Sequence, residues 1–166
     1  MIWIILGILG VVQSVQAQNG CPFGYVEWNG YCYNIFTTKS NYGDADHNCR
    51  TNVFGGHLAS IKSKEENAFI YSMMTEDTWI GYDDLAKEGE FFWTDGSVNG
   101  YKNWAPGEPS HTYHYEDCTH MHSDGGMELA AKYGENVEDC LSVIVLKIEQ
   151  RNFHIESFSW LPLEQS

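Results

Sequence analysis

Several features that would place this sequence in a common functional class are missing from it. Basic residues are scarce, with 9 Lys and Arg against 23 Asp and Glu, and the formal net charge is −14. Such a charge repels nucleic-acid phosphates and anionic membrane surfaces, whereas it favours cations as partners. The chain has no Gly-x-Ser-x-Gly motif, no phosphate-binding loop and no evident cysteine–histidine pair. We therefore expect a binding module that is not an enzyme and does not bind nucleic acid.

The amino-terminal segment lacks the length that is needed to cross a membrane. The apolar run in "MIWIILGILGVVQSVQA" is shorter than the roughly 20 residues of a spanning helix. Val15-Gln16-Ala17 fits the small-x-small pattern of signal peptidase cleavage, although no Lys or Arg follows Met1. We predict a signal peptide over residues 1–17 and a secreted, extracellular protein without membrane insertion. The alternative is an uncleaved anchor.

Secretion places the cysteines in an oxidising compartment, where they are expected to pair. The chain has an odd number of them, at Cys21, Cys32, Cys49, Cys118 and Cys140. None belongs to a Cys-x-x-Cys motif, which argues against a structural zinc site built on thiolates. Asn29-Gly30 favours a tight hairpin turn, and Cys21 and Cys32 are well placed to close that hairpin. Whatever the pairing, one thiol is left over.

The periodicity predicts two helices followed by short strands. Tyr42, Ala45, Cys49 and Val53 recur at helical spacing, and Ser63-x-x-Glu66 is a capping box that opens a second helix. The strands are expected in "HLASI", "TWIGY", "FFWTDGS" and "SVIVLKI", whereas "MELAAKY" is rich in good helix formers. Trp79, Trp93 and Trp104 are expected in the core. This order of elements predicts an α+β fold.

A series of spaced motifs then follows in a recognisable order. It consists of Cys21 with Cys32, Cys49 on the first helix, "HLASI", "WIGY…EGEFFWTDGS", "NWAPGEP" and Glu116-Asp117-Cys118. The series resembles a C-type lectin domain in its longer form, which has an extra amino-terminal hairpin disulfide. The resemblance implies a double-loop fold over residues 21–148, with two helices packed on small antiparallel sheets, and a divergent tail over residues 149–166.

The resemblance also implies a set of calcium ligands on the long loops. Glu108, Ser110 and Glu116 correspond to residues that hold the sugar-binding calcium in relatives, and the Glu108-Pro109 bond corresponds to a cis bond. An accessory calcium in some relatives would use Asp84, Glu88, Glu116 and Asp117. Calcium prefers six to eight hard oxygen ligands, and carboxylates on neighbouring loops supply them. Adjacent hydroxyls of a glycan or glycoprotein would complete the coordination.

The chain departs from the family pattern after Cys118. Relatives have Asn or Asp where this chain has Ser110, so the choice between mannose-type and galactose-type sugars stays open. No Trp-Asn-Asp motif follows the Glu-Asp-Cys. If Cys140 pairs with Cys118, as its counterpart does in the family, Asn136 takes the place of the motif's Asn as a calcium ligand.

The same alignment places Ile148 where the family has its final cysteine, which leaves Cys49 unpaired. The alternative is a bond between Cys140 and Cys49.

Two rival functions therefore stand beside calcium-dependent glycan binding. One is a lectin-like module that binds a protein or ice and has lost its calcium site, and the other is a defective isoform.

Four histidines of the second half of the chain are expected to be solvent-exposed rather than zinc ligands, because their spacings define no face of a regular element. They are His111, His114, His120 and His122.

Overall fold

The structure is a computed structural model that describes residues 20–110, 116–130 and 143–149, with only the main chain at residues 129–130 and 143–147. The predicted signal peptide, Asn136, Cys140 and nearly all of the predicted tail lie outside the described residues. Within the part of the chain that is described, no helix is long and apolar enough to cross a membrane.

A short hairpin opens the described chain. Strands β1 (Val26–Trp28) and β2 (Tyr31–Phe36) pair antiparallel and are joined by Asn29 and Gly30, whose φ values are 49° and 82°. Two central residues with positive φ favour Asn-Gly at a two-residue hairpin turn. A disulfide joins Cys21 to Cys32, with the two Cα atoms 5.5 Å apart. The predicted hairpin and its disulfide are both confirmed.

Helix α1 spans Tyr42–Asn52 and begins where an asparagine caps it. The Oδ1 atom of Asn41 accepts a hydrogen bond of 2.9 Å from the Asp44 amide, which satisfies one of the free amides at a helix start. The face that periodicity predicted is the buried one, with Tyr42, Ala45 and Cys49 turned inward. The helix therefore carries Cys49 into the core, as expected.

Helix α2 spans Lys64–Met73 and begins at the predicted capping box. The amide of Glu66 donates to Ser63 Oγ at 3.1 Å. The Glu66 carboxylate accepts from the Lys62 amide at 2.8 Å, one residue earlier than the capping box requires, and from the Tyr33 hydroxyl at 2.7 Å. This buried glutamate thus fastens the start of α2 to β2.

The strands form one hydrogen-bonded path in the order β1-β2-β8-β4-β6-β7. The remaining six described strands are β3 (His57–Leu58), β4 (Thr78–Asp83), β5 (Phe92–Trp93), β6 (Cys118–Met121), β7 (Met127–Ala130) and β8 (Val143–Glu149). β3 pairs with β8 and β5 pairs with β4. Every described pair is antiparallel except β4 with β8, which is parallel. Two helices on short, mostly antiparallel strands confirm the predicted α+β fold.

Strand β7 contradicts the local propensity of its sequence. Met127–Ala130 belongs to "MELAAKY", whose residues favour helix. The main chain instead pairs with β6, with Met127 opposite Met121 and Ala130 opposite Cys118. A complete ladder with a neighbouring strand outweighs helix preferences, which amount to at most about 0.7 kcal/mol per ordinary residue.

The core is divided into two clusters. The larger one surrounds Tyr33, Ile80, Tyr82 and Trp93 between α2 and the strands, and the smaller one lies under α1. The smaller cluster consists of Tyr42, Ala45, Cys49, Leu58, Trp79, Cys118 and Ile148. Trp79 is fully buried and Trp93 is 3% exposed, so both are core aromatics as predicted.

The smaller cluster contains a free thiol. Cys49 is buried without a disulfide partner, and burial is the main reason why its thiol pKa is raised. Ile148 is 1% exposed in the same cluster, on β8 opposite Cys32. Cys118 is buried as well, and its predicted pairing with Cys140 stays a prediction because Cys140 lies outside the described residues.

We expect the substitution Ile148→Cys to create a disulfide with Cys49, because both side chains belong to one buried cluster. The free thiol count per chain should then fall by one, and peptide mapping should locate the new bond at Cys49. Ile148→Ser is the matched control, because it removes the same volume without adding a thiol. The cysteine variant should be more stable than the serine variant by about 2–4 kcal/mol in denaturant unfolding. Equal stabilities with a thiol count raised by one would contradict this prediction.

Candidate functional site

The loop that carries Glu108 is fixed to the edge of the sheet. The Met127 amide donates to the Asn103 carbonyl at 2.9 Å, and the Ala105 amide donates to the Met127 carbonyl at 3.0 Å. A turn follows, in which the Glu108 amide donates to the Ala105 carbonyl at 3.0 Å. The Glu108-Pro109 peptide bond is cis, as the resemblance implied. The loop therefore places Glu108 at a defined position beside β7.

The three residues predicted for the sugar-binding calcium lie on either side of a segment outside the described residues. Glu108 is half-buried, and its Oε2 atom accepts a hydrogen bond of 3.3 Å from the amide of the exposed Ser110. Glu116 is half-buried two residues before β6. Glu108 lies on a loop that is hydrogen-bonded to β7, and β7 pairs with β6, the strand that Glu116 precedes.

The residues predicted for the accessory calcium are partly brought together. The Asp84 amide donates to the Asp117 carbonyl at 3.0 Å, directly after the pair formed by Asp83 and Cys118. The Asp84 side chain is 2% exposed, and its Oδ2 atom accepts from the Gly89 amide at 2.7 Å. That bond closes a loop on which Glu88 is exposed. Asp84 and Asp117 are thus neighbours, and Glu88 lies on the loop that follows Asp84.

These donors fit calcium in their chemistry, because every predicted side chain offers oxygen. Their arrangement is incomplete among the described residues, where no three His, Cys, Asp or Glu side chains converge in a geometry that holds a metal ion. Asn136 lies outside those residues. The described part of the chain therefore supplies carboxylates on adjoining loops rather than a finished coordination shell.

Sequence reasoning missed the histidine on β6. His120 was expected to be exposed, and this is wrong, since it is 7% exposed. Its ring lies edge-on to Trp79, with the centroids 6.1 Å apart, and its Nε2 atom faces Asp77 and Glu128. His120 lies two residues from the buried Cys118 in "CTHM", and residues two apart on a strand share a face. His122 is more exposed, and His111 and His114 lie outside the described residues.

Burial is the main reason why the pKa of His120 is lowered, and the carboxylate of Asp77 opposes that shift. The unfolded chain therefore binds a proton at this histidine at a higher pH than the folded protein does. It follows that folding stability falls as the pH drops through the unfolded value of about 6.5.

We expect the midpoint of urea unfolding to decrease between pH 7.5 and pH 5.5. Glutamine is the replacement for His120, because its side chain is polar and gains no proton in this range. The variant His120→Gln should lose part of this pH dependence, whereas His47→Gln, on the exposed surface of α1, should keep it. The same slope in all three proteins would show that His120 does not contribute.

The chain is similar to known proteins over most of its length. A family model described as the lectin C-type domain matches residues 38–142. An alpha-N-acetylgalactosamine-specific lectin from Patiria pectinifera is 42% identical over 130 residues, which cover 71% of this chain and 77% of that protein.

Solved structures show the same fold. The cow C-type carbohydrate-recognition domain of CD23, determined in the presence of a GlcNAc2Man3 oligosaccharide, is similar with a TM-score of 0.69 and 30% identity over 76% of this chain and 94% of that one. A calcium-independent type II antifreeze protein is similar with a TM-score of 0.70 and 26% identity. The match covers 78% of this chain and 94% of that protein. With a family model that matches more than half of its residues, the chain belongs to the C-type lectin domain family.

Proposed function

We propose that this chain is a secreted lectin that binds terminal sugars of glycans or glycoproteins through calcium, with its domain over residues 21–148. The observation that carries the proposal is the placement of Glu108. It projects from a loop that is hydrogen-bonded to β7, and β7 pairs with β6, the strand that Glu116 and Asp117 precede. Two separated parts of the chain thereby bring carboxylates to one edge of the sheet.

In this proposal Glu108, Ser110 and Glu116 hold the sugar-binding ion, and Asn136 completes the set from the divergent segment. Bound calcium supplies coordination positions for two adjacent sugar hydroxyls. Glu108 and Glu116 accept hydrogen bonds from the same hydroxyls, since an ionised carboxylate is an acceptor only. Ser110 offers one oxygen and one donor, fewer than an asparagine would, and so contributes less to orienting the sugar.

The accessory set has a different role. Asp84, Glu88 and Asp117, together with Glu116, would hold a second ion on the loops that flank β4 and β6. The hydrogen bond from the Asp84 amide to the Asp117 carbonyl already fixes two of these residues relative to each other. An ion there would reduce the repulsion among the carboxylates and so stabilise the loop from which Glu116 projects.

The sugar is best sought among galactose-type and mannose-type ligands. A relative with 42% identity is named as a lectin specific for alpha-N-acetylgalactosamine, and a similar structure was determined with a mannose-containing oligosaccharide. The family as a whole argues for a binding module without catalysis. Recognition of microbial surface glycans in innate immunity is one role that such a module would serve.

A second candidate function is calcium-independent binding of a protein or of ice. It is favoured by the absence of three converging ligands among the described residues and by the similarity to a calcium-independent antifreeze protein. Under this alternative the carboxylates form a solvated acidic surface, and calcium has no effect on stability.

Calcium binding is tested by thermal unfolding with and without the ion. An ion that binds only the folded state stabilises it by about 2.7 kcal/mol when its concentration is a hundred times the dissociation constant. We expect calcium to raise the melting midpoint of the wild type, and Glu108→Gln to reduce that increase. Glu65→Gln is the matched control, because Glu65 is exposed at the start of α2 and far along the chain from the site. An unchanged midpoint in calcium would support the second candidate function.

Sugar binding is tested by retention on immobilised N-acetylgalactosamine and on immobilised mannose. We expect retention on one of the two resins in calcium and release by a chelator, because both the ion and its carboxylates contact the sugar. Glu116→Gln should abolish retention, whereas Glu65→Gln should not. Retention that survives the chelator, or none on either resin, would contradict the calcium mechanism.

A further inference from the structure

The dipeptide Asn-Gly occurs at three places in the sequence, and two of them lie within the described residues. These are Asn29-Gly30, at the turn between β1 and β2, and Asn99-Gly100, in the loop after β5. An asparagine that precedes glycine is open to attack on its own side chain, because glycine has no Cβ to shield its amide nitrogen. The two copies therefore form a matched pair in which only the surroundings differ.

The attack is internal and needs only water as a second reactant. The main-chain nitrogen of the glycine forms a bond to the side-chain Cγ atom of the asparagine and closes a five-membered imide. The side-chain nitrogen leaves as ammonia, with the proton of the attacking nitrogen. Water then opens the ring at one of its two carbonyls. One opening gives aspartate, and the other gives isoaspartate, in which the main chain runs through the former side-chain carbon.

The attacking nitrogen is held in a similar way at both places. The Gly30 amide donates to Glu27 Oε1 at 2.9 Å, and the Gly100 amide donates to the Val98 carbonyl at 3.0 Å. Both asparagines are exposed residues, so water reaches them. In either case one hydrogen bond of the glycine amide has to break, so the attacking nitrogen does not distinguish the two places.

The side chains of the two asparagines differ. Asn99 Oδ1 accepts a hydrogen bond of 2.6 Å from the Tyr82 hydroxyl, and Asn99 Nδ2 donates one of 2.8 Å to the Phe91 carbonyl. The Asn29 side chain makes no hydrogen bond with any residue that the structure describes. The Cγ atom of Asn99 is therefore fixed on both sides, whereas that of Asn29 is free to turn toward the Gly30 nitrogen.

We propose that Asn29 is a site of spontaneous covalent modification, where the folded protein converts asparagine to aspartate and isoaspartate, and that two hydrogen bonds protect Asn99 from the same reaction. Each bond has to break before Asn99 can react, and together they slow its conversion about tenfold or more relative to Asn29. The modification requires no enzyme and does not depend on the lectin function.

The modification changes the hairpin in which it occurs. Asn29 and Gly30 are the two central residues of the turn, and Trp28 pairs with Tyr31 directly beside them. Isoaspartate lengthens the main chain by one carbon, which no longer fits a two-residue turn. Both products also add a negative charge close in sequence to Glu27, whose carboxylate accepts the hydrogen bond from Gly30. The turn is therefore loosened as the protein ages.

The effect is confined to one end of the sheet. Strand β1 is the first in the order of strands, whereas the loop that carries Glu108 is hydrogen-bonded to β7, the last one. The disulfide between Cys21 and Cys32 still ties the start of the hairpin to β2. The contact at risk is that of Trp28 with Phe69 of α2, whose rings are stacked with centroids 5.4 Å apart. Sugar retention should therefore be the same before and after modification.

The test is prolonged incubation of the purified full chain at neutral pH, followed by reduction, digestion and mass spectrometry. We expect the peptide that contains Asn29 to gain the mass difference between an amide and a carboxylic acid, and to separate into aspartate and isoaspartate forms. The peptide that contains Asn99 should convert about tenfold more slowly or less. In urea with a reductant the two should convert at similar rates, because both precede glycine and neither keeps its hydrogen bonds.

A variant tests the protection of Asn99 directly. Tyr82→Phe removes the hydroxyl that donates to Asn99, and should speed the conversion of Asn99 without changing that of Asn29. Tyr71→Phe is the matched control, because it removes a hydroxyl that donates to the Ser123 carbonyl instead.

The proposal is overturned if Asn29 of the folded wild type is not converted, or if Asn99 converts as fast as Asn29. Both outcomes are measured on the wild type, so they stand even if Tyr82→Phe fails to fold. Sugar retention is measured separately, so failure of this proposal and failure of the lectin function are distinguishable.

Discussion

The pairing of β6 with β4 on one side and β7 on the other is the constraint on which the rest of the site depends. The pair of Asp83 with Cys118 places Asp84 beside Asp117, and the pair of His120 with Glu128 sets a carboxylate opposite a buried imidazole. The period of side chains along a strand is two, so a shift of one residue would turn each of these groups to the opposite face. All four residues of β6 are buried, so such a shift would exchange the side chains that pack on the two faces of the strand.

Negative charge is the second feature that organises the surface. A net charge of −14 destabilises a compact chain through self-repulsion, and the carboxylates of the predicted site lie on loops that adjoin β6. Cations relieve this repulsion without changing the fold. The loops offer oxygen donors, which are the ligands that hard cations such as calcium prefer.

The core shows how the domain is stabilised without the disulfide that the family alignment places at Cys49. Ile148 fills the buried position opposite Cys32, in a cluster with Cys49 and Trp79. Full burial of an isoleucine contributes about 1.5–3 kcal/mol, which is comparable with the roughly 2–4 kcal/mol of a typical disulfide. Apolar packing can therefore replace much of the missing crosslink.

Local sequence signals were sufficient for the elements that are stabilised by nearby residues. Asn29-Gly30 determines its own turn through positive φ values, the α1 face follows from helical spacing, and the Ser63 cap needs only the amide of Glu66. The motif order identified the family, because its spacing reflects loops of fixed length on a common scaffold. Of the candidate site, the sequence identified which residues carry oxygen donors and predicted the cis bond at Pro109.

Long-range pairing decided what local signals could not. Met127–Ala130 has the composition of a helix and forms a strand because β6 offers its hydrogen-bonding edge. His120 is buried because β6 lies between two neighbours, and Glu128 faces it only through the register of the hairpin. Residues that are distant in sequence meet through main-chain hydrogen bonds whose partners no short window contains. The sequence by itself therefore determined the family and the donor residues, whereas the tertiary structure alone decided which donors face one another.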